Sequence, residues 1–337
     1  MSETDAARLH ADAIVIDAAC PLPMADMDYA EWYREGGVTA FAPTVGGWRP
    51  AGEALAAIAG WLERIAARDD LVHVTRAGDI ERAKAEGKLG IIFHFQGTEP
   101  FGDDLAMVAL YKRLGVGVVQ LAYNVRNRIG DGVQEPQDAG LSVFGRAFIE
   151  RCNAHRVIVD CSHTGRRTGL EAMAMSTAPV IFSHANPRAV FPSARNIDDE
   201  QIRAAAATGG VVGAVGFPGF VSADARPTLD QFIDHVDHLV AVAGIDHVSL
   251  GIDYYWGQHP VADPKAAKAS YDKLVAAGRW RADVYPPPPH HYPAGIETPK
   301  TLPALTEGLL RRGYGEADIR KILGLNLLRV YRTVWGA

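Results

Sequence analysis

The chain has 337 residues, 48% of them hydrophobic, and a formal net charge of −6 from 34 basic and 40 acidic side chains. That is enough apolar material for a large core, and the scattered charges hold no basic block or basic-aromatic ladder of the kind that grips nucleic acid. No apolar run approaches the roughly 20 residues of a membrane span, and the acidic amino end, MSETDAARLH, lacks the apolar core of a secretory signal. Three cysteines, Cys20, Cys152 and Cys161, show no CxxC spacing. They argue against a disulfide scaffold and for a reducing, cytoplasmic setting.

Taken in order, residues 1–13 read as a polar helix and Ala13–Asp17 as the first buried strand. Pro21–Asp28 reads as a loop, Tyr29–Glu35 as a helix and Val38–Pro43 as the second strand. Leu55, Ile58, Leu62 and Ile65 recur at spacings of three and four, which predicts an amphipathic helix over Ala51–Arg68. Strands are expected at Leu71–Thr75, Gly90–Phe95 and Val116–Ala122, separated by helices at Ala77–Glu86 and Leu105–Leu114. Val125–Leu141 has no clean period and reads as a long loop at the active edge, before a helix at Phe144–Ala154.

Next come two apolar runs that each end in Ser-His: Val157–Cys161 leads into Ser162–His163, and Pro179–Phe182 into Ser183–His184. A helical segment, Thr168–Ser176, lies between them, so the stretch reads as a βαβ unit with parallel strands. Both Ser-His pairs then fall at one carboxyl edge, where α/β barrels place their ligands. A helix capped by Asn196 or Asp198 and closed by Gly209–Gly210 follows. Val211–Val215, the Leu229–Val242 helix and the strand His247–Ile252, which delivers Asp253, come next. Residues 254–300 are aromatic and proline-rich around a Pro264–Ala277 helix and read as a lid or interface arm; the helical end, Leu302–Gly308 and Glu316–Trp335, is expected on the barrel's outer side.

About nine strand candidates alternate with helices, and no linker-rich break precedes Pro260. The expected fold is α/β, a single TIM-like (β/α)8 barrel of the metal-dependent hydrolase type. It spans 1–337 as one domain, with the divergent excursion at 254–300. GxGxxG, GxSxG and GxxxxGK[ST] motifs are absent, which weighs against dinucleotide, serine-hydrolase and P-loop chemistry.

The polar residues at strand ends suggest the chemistry. His163 and His184 are candidate metal ligands or bases; their alternative is a pair of hydrogen-bonded strand caps. Gln96, two residues from His94 in one strand, shares its face and is a third candidate ligand, with His94 a possible accessory or a core imidazole. Tyr123 and Asn124 follow the next strand as candidate substrate contacts. Asp253 is the candidate proton acceptor or a loop anchor. Arg195 is the candidate clamp on a substrate carboxylate or a partner of Asp198 or Asp199. His235 and His238 read as a solvated helix flank, and His290–His291 as a surface pair.

The motifs DCSH, PVIFSH and PSARNIDDEQIRA, together with GVVQLAYN, GLSVFGRAFIERCN, DHVSLGIDYYWG and ILGLNLLRVYRTVW, resemble the membrane (renal-type) dipeptidase family of zinc peptidases. The resemblance covers nearly the whole chain and is weakest at 254–300. It implies a metal-dependent barrel, a homodimer, and hydrolysis of dipeptides at a two-zinc site. His163 and His184 match the histidines of one metal, Arg195 the substrate-carboxylate binder, and Asp253 the proton shuttle. The departures are specific. The family's first His-x-Asp pair falls at Ala19 and Pro21, which have no ligating atom, its bridging glutamate at Gln96, and its substrate-contacting histidine at Tyr123.

The expectation is therefore a dipeptidase-like hydrolase of a small amide or dipeptide with a free carboxylate. It uses at most one zinc-like divalent ion, or none, and has no nucleic-acid or membrane partner. The alternatives are a lyase or isomerase on a similar ligand, and a non-catalytic binding protein on the same scaffold.

Overall fold

The computed structural model describes residues 3–22 and 29–337; most of the expected 21–28 loop lies outside the described residues. The strands are β1 (Ile16–Asp17), β2 (Ala40–Phe41), β3 (Thr44–Gly46), β4 (Leu71–His73), β5 (Leu89–Ile91) and β6 (Phe93–Phe95). They continue as β7 (Val116–Gln120), β8 (Ile158–Asp160), β9 (Val180–Ile181), β10 (Val212–Ala214) and β11 (Val248–Leu250). Their residues are buried almost without exception, the mark of parallel strands covered on both faces.

Pairing runs in a circle. β1 pairs with β2, β2 with β5 and β3 with β6, all parallel. β6, β7, β8 and β9 follow in order, again parallel, and β10 pairs with β11. Phe182 N–H bonds the Val211 carbonyl at 3.0 Å and Gly213 N–H the Phe182 carbonyl at 2.7 Å, which joins β9 to β10. Ala18 N–H bonds the Leu250 carbonyl at 3.0 Å and closes the ring. With β2–β3 and β5–β6 each one interrupted strand, eight parallel strands form the (β/α)8 barrel, and β4 adds a ninth outside it. The second strand runs past the expected Pro43 to Gly46, because a proline that lacks an N–H interrupts the ladder without turning the chain.

The carboxyl-terminal helix Asn326–Trp335 differs from expectation. Its Leu327, Tyr331, Val334 and Trp335 pack with Ile16, Ala40, Val118, Ile158, Ile181 and Val211 from the starts of the barrel strands. It therefore plugs the barrel's floor, and Trp335 Nε1 donates to the Gly117 carbonyl at 3.2 Å. His235 is also not on a solvated flank: it is fully buried and its Nε2 donates to the Val221 carbonyl at 2.8 Å. His238 pairs with Asp199 at 2.7 Å. No helix among the described residues is long and apolar enough to cross a membrane.

Closure beside the second Ser-His pair depends on two glycines. A Cβ at Gly251 would lie 1.9 Å from the Ser183 carbonyl oxygen, and one at Gly213 would lie 2.1 Å from it. Neither backbone can retreat without breaking the ring, so Gly251→Ala should destabilise the fold by roughly 1–3 kcal/mol, the range for overpacking a rigid interior. Urea denaturation measures this; an unchanged midpoint would show that the seam between β9, β10 and β11 is looser than described.

Candidate active site

The expected site residues leave neighbouring strands at one mouth. Gln96 follows β6, His163 follows β8, His184 follows β9 and Asp253 follows β11. Asn124, His163 and Asp253 have φ of 62°, 63° and 63°. This left-handed region is unfavourable for residues with a Cβ and is held only where surroundings enforce it, as at functional sites. The sharp turn lets each side chain leave its strand end and point back over the mouth.

Asp160, the last residue of β8, organises the floor. Its Oδ1 accepts from Ser162 N–H at 2.8 Å, Ser162 Oγ at 2.7 Å and Ser183 N–H at 3.0 Å. Its Oδ2 accepts from Ser183 Oγ and, at 3.2 Å, from His94 Nε2. Burial alone would raise the carboxyl's pKa, but the hydrogen bonds from His94 and Ser183 outweigh it and hold the group well below the usual carboxylate range. Asp160 is therefore an anion, and the single Ser183 hydroxyl proton is directed to it.

That fixes both imidazoles. Ser183 Oγ, its proton used, accepts from His184 Nδ1 at 2.7 Å. His163 Nδ1 stands 2.7 Å from Asn124 Oδ1. The Asn124 amide cannot be flipped, because its Nδ2 donates to the Arg279 carbonyl at 2.8 Å. Each histidine thus carries its proton on Nδ1. The two Nε2 atoms, both lone-pair bearers, face each other at 2.8 Å. A shared proton would relieve this contact, but burial first, and then the Arg195 charge, push both imidazole pKa values well below the ordinary histidine range.

Above the pair lies a narrow cavity of about 30 Å³ lined by Pro21, Gln96, His163 and Asp253 and walled by Trp48, Tyr123, Phe217, Tyr255, Trp256, Trp280 and Tyr285. Tyr123 stacks on His163 with centroids 4.2 Å apart, and its hydroxyl accepts from Trp280 Nε1 at 3.0 Å. Arg195 is 2% exposed and makes no ion pair with Asp198 or Asp199; Asp198 pairs with Arg166 instead. One Arg195 nitrogen donates to the His184 carbonyl at 3.2 Å, the guanidinium lies 5.1 Å over Phe220, and Nε is buried without a partner. Burial raises the Asp253 carboxyl to about 8, offset in part by Arg195, while the nearby Asp17 pushes the same way as burial. Gln96 Nε2 is buried without a well-formed hydrogen bond, yet it lies close enough to Asp253 to ease its ionisation.

Ala19 and Pro21 offer no side-chain donor, and no cluster of three or more His, Cys, Asp or Glu side chains suited to a metal exists among the described residues. The Nε2 lone pairs of His163 and His184 do converge, each ring held by an Nδ1–H bond to oxygen, which is the way proteins orient ligating imidazoles. A metal held there would need Gln96, substrate or water to complete its shell.

His94 sits one layer below, fully buried, with Nδ1 unpartnered. Asn124, expected at the substrate, has both side-chain atoms engaged, with Arg279, Tyr285 and His163. Sequence reasoning missed Asp160 and Asp17, and most of the aromatic wall. A repeated Ser before each His, with Asp two residues before the first, was the available signal for the floor. His290 is likewise buried rather than a surface residue: its Nε2 donates to the Pro286 carbonyl at 2.7 Å and its Nδ1 accepts from Tyr255.

Burial raises the Asp17 carboxyl to about 7 against the N–H bonds from Ile252 and Ala19, and its Oδ2 has no partner. The folded pKa exceeds the unfolded value near 4, so this group's contribution to stability is intact below about pH 4 and is lost as pH rises toward 7. Asp17→Asn removes the loss. It should change stability little at pH 4 and raise it on the order of 2–4 kcal/mol at pH 7.5. Thermal melts at both pH values check this; an equal shift at both would contradict it.

The model of the membrane dipeptidase family (Peptidase family M19) matches residues 51–282 and 289–336. A crystal structure of an amidohydrolase from Pseudomonas aeruginosa is 33% identical, covering 98% of this chain and 99% of that one at a TM-score of 0.89. An uncharacterized protein encoded in the pqqA 5′ region of Klebsiella pneumoniae is 30% identical over 77% of this chain and 87% of its own length. Dipeptidase tcpJ of Claviceps purpurea is 28% identical over 81% of this chain, a match that spans only 57% of the longer fungal protein. On the matched length, the closed barrel and the paired Ser-His strand ends, the chain belongs to the membrane dipeptidase family, a family of metal-dependent hydrolases.

Proposed function

We propose that the protein hydrolyses small amides with a free carboxylate, using one zinc-like ion held by His163 and His184. The observation that carries this reading is the 2.8 Å approach of two Nε2 lone pairs, each fixed by an Nδ1–H bond. When bound, such an ion supplies Lewis acidity that polarises an amide carbonyl and acidifies a water. The chain's own groups do the rest. Arg195, with Nε free and no carboxylate partner, takes the substrate carboxylate as a planar fork. Asp253, whose carboxyl burial raises to about 8, accepts a proton from the attacking water and returns it to the leaving amine. Asn124 and Ser183 keep the imidazoles in register. The aromatic wall limits water around the scissile bond.

In the same reading, one barrel carries the chemistry and the 254–300 excursion is its lid, since Tyr255, Trp280 and Tyr285 from that segment line the cavity. The family resemblance supports a homodimer, and three buried free thiols support a reducing cytoplasmic setting.

Zinc titration by calorimetry should give one site per chain, lost in His163→Ala. Asp253→Asn should keep that site and slow single-turnover cleavage of a dipeptide roughly 10²–10⁴-fold. Two tight sites, or an unchanged rate in Asp253→Asn, would overturn the assignment.

A further inference from the structure

The cavity above the imidazole pair is too small for a dipeptide. Its volume of about 30 Å³ is room for about two water molecules, whereas an extended dipeptide spans about 7 Å. Neither Arg195 nor His184 borders the space. Five of the residues that close it, Tyr255, Trp256, Leu274, Trp280 and Tyr285, come from the 254–300 excursion.

Tyr285 fills the place beside the carboxylate clamp. Its hydroxyl accepts from Asn124 Nδ2 at 2.8 Å, stands 3.4 Å from His163 Nδ1 and lies against the Arg195 guanidinium. Its ring meets Phe220 with centroids 5.3 Å apart, and the Arg195 guanidinium sits 5.1 Å over that same Phe220 ring. Trp280 stacks on Tyr285, with centroids 4.4 Å apart and planes 6° from parallel. It also donates Nε1–H to the Tyr123 hydroxyl at 3.0 Å. One stacked pair, carried on one segment, therefore seals the mouth.

That segment is built as a flap. The helix Pro264–Ala276 and the residues after it form one unit. The N–H groups of Arg279 and Trp280 both reach the Leu274 carbonyl, at 2.9 and 3.2 Å, and the Tyr271 hydroxyl donates to the Tyr285 carbonyl at 3.0 Å. Among the described residues, no backbone–backbone hydrogen bond joins 263–285 to the barrel. The unit hangs from a stem where His259 N–H bonds the His290 carbonyl at 3.0 Å, flanked by Pro260 and Pro286–Pro289. Side chains hold it down. Asn124 Nδ2 reaches the Arg279 carbonyl at 2.8 Å, Arg281 the Gln134 carbonyl at 3.3 Å, and Arg279 pairs with Glu99 at 3.8 Å. Such latches let a segment open locally without unpairing a strand.

We propose that residues 263–285 are a gate, closed in this structure, in which the Tyr285 hydroxyl takes the place of the substrate carboxylate at Arg195. Substrate enters only when the gate lifts, so it competes with Tyr285 for one guanidinium. Lifting also takes the Arg279 carbonyl from Asn124. The His163 ring is then fully held only when the gate comes down again, as closure completes other enclosed sites. The inference rests on the reading of Arg195 and the imidazole pair given above.

The sign of a binding change tests this. If the competent form is a fraction of the whole, apparent affinity falls by that fraction, and loosening the closed form restores it. Loosening a fixed wall does the opposite. Calorimetric titration with Ala-D-Ala, with zinc present and in the Asp253→Asn background to suppress cleavage, reads the sign. Tyr285→Phe keeps the stack on Trp280 and deletes the hydroxyl, and should tighten binding roughly threefold or more. Arg281→Ala removes a latch that is half exposed and does not border the cavity. It should tighten binding about twofold, and it decides the matter if Tyr285→Phe does not fold. Arg195→Lys should weaken binding in every background. Unchanged or weaker binding in folded Tyr285→Phe, with Arg195→Lys still weakening it, makes 263–285 a fixed wall and leaves the inner site standing. If the dipeptide binds none of these proteins, or Arg195→Lys changes nothing, the reading of the inner site falls and the gate with it.

Discussion

Two imidazole lone pairs held 2.8 Å apart repel each other unless a cation lies between them. The rest of the mouth is arranged to impose that contact. Asn124 is locked by the Arg279 carbonyl and holds one ring. Asp160 fixes the proton of Ser183, which holds the other. Neither ring can change tautomer without leaving a buried donor or acceptor unmatched, a cost of about 1–3 kcal/mol per group. A proton is a poor occupant, because burial and the Arg195 charge keep both histidines neutral. A divalent ion brought to two neutral nitrogens, with its own charge and coordination, is the occupant that this geometry suits.

The scaffold pays for this arrangement with strain and close packing. Three of the residues concerned, Asn124, His163 and Asp253, adopt left-handed backbone angles. Gly213 and Gly251 press against the Ser183 carbonyl from both sides. The carboxyl-terminal helix seals the opposite end with Tyr331 and Trp335. Asp17, two residues before Ala19, is buried with one oxygen unpartnered.

Much of the barrel was legible because short apolar runs alternate with amphipathic stretches, and the Val157–His184 stretch announces two parallel strands with the same ending. The ligand pair could be read from those endings and from family motifs. What was not legible depends on contacts between distant segments. Asp160 looks like an ordinary strand terminus until Ser162, Ser183 and His94 are seen to converge on it. His235 has the spacing of a solvated flank, and only the short Pro218–Val221 helix, absent from the sequence pattern, supplies the carbonyl that lets it be buried. The carboxyl-terminal helix reads as amphipathic whether it lies on the wall or plugs the floor; the identity of its partner is a property of the closed ring. The residues of the 254–300 segment that meet the site, Tyr255, Trp280 and Tyr285, carry no period that marks which aromatics turn inward.

The central claim is that one divalent ion belongs between His163 Nε2 and His184 Nε2 and none belongs at Ala19 and Pro21. Crystals of the protein grown with zinc, with diffraction recorded on both sides of the zinc absorption edge, test it directly. The account predicts one anomalous peak per chain at the imidazole pair, with the two Nε2 atoms moved apart to about 3.3 Å, the separation set by Zn–N distances of about 2.0–2.1 Å in a tetrahedral shell. A second peak beside Ala19 and Pro21, or an imidazole contact unchanged in the presence of zinc, would contradict it.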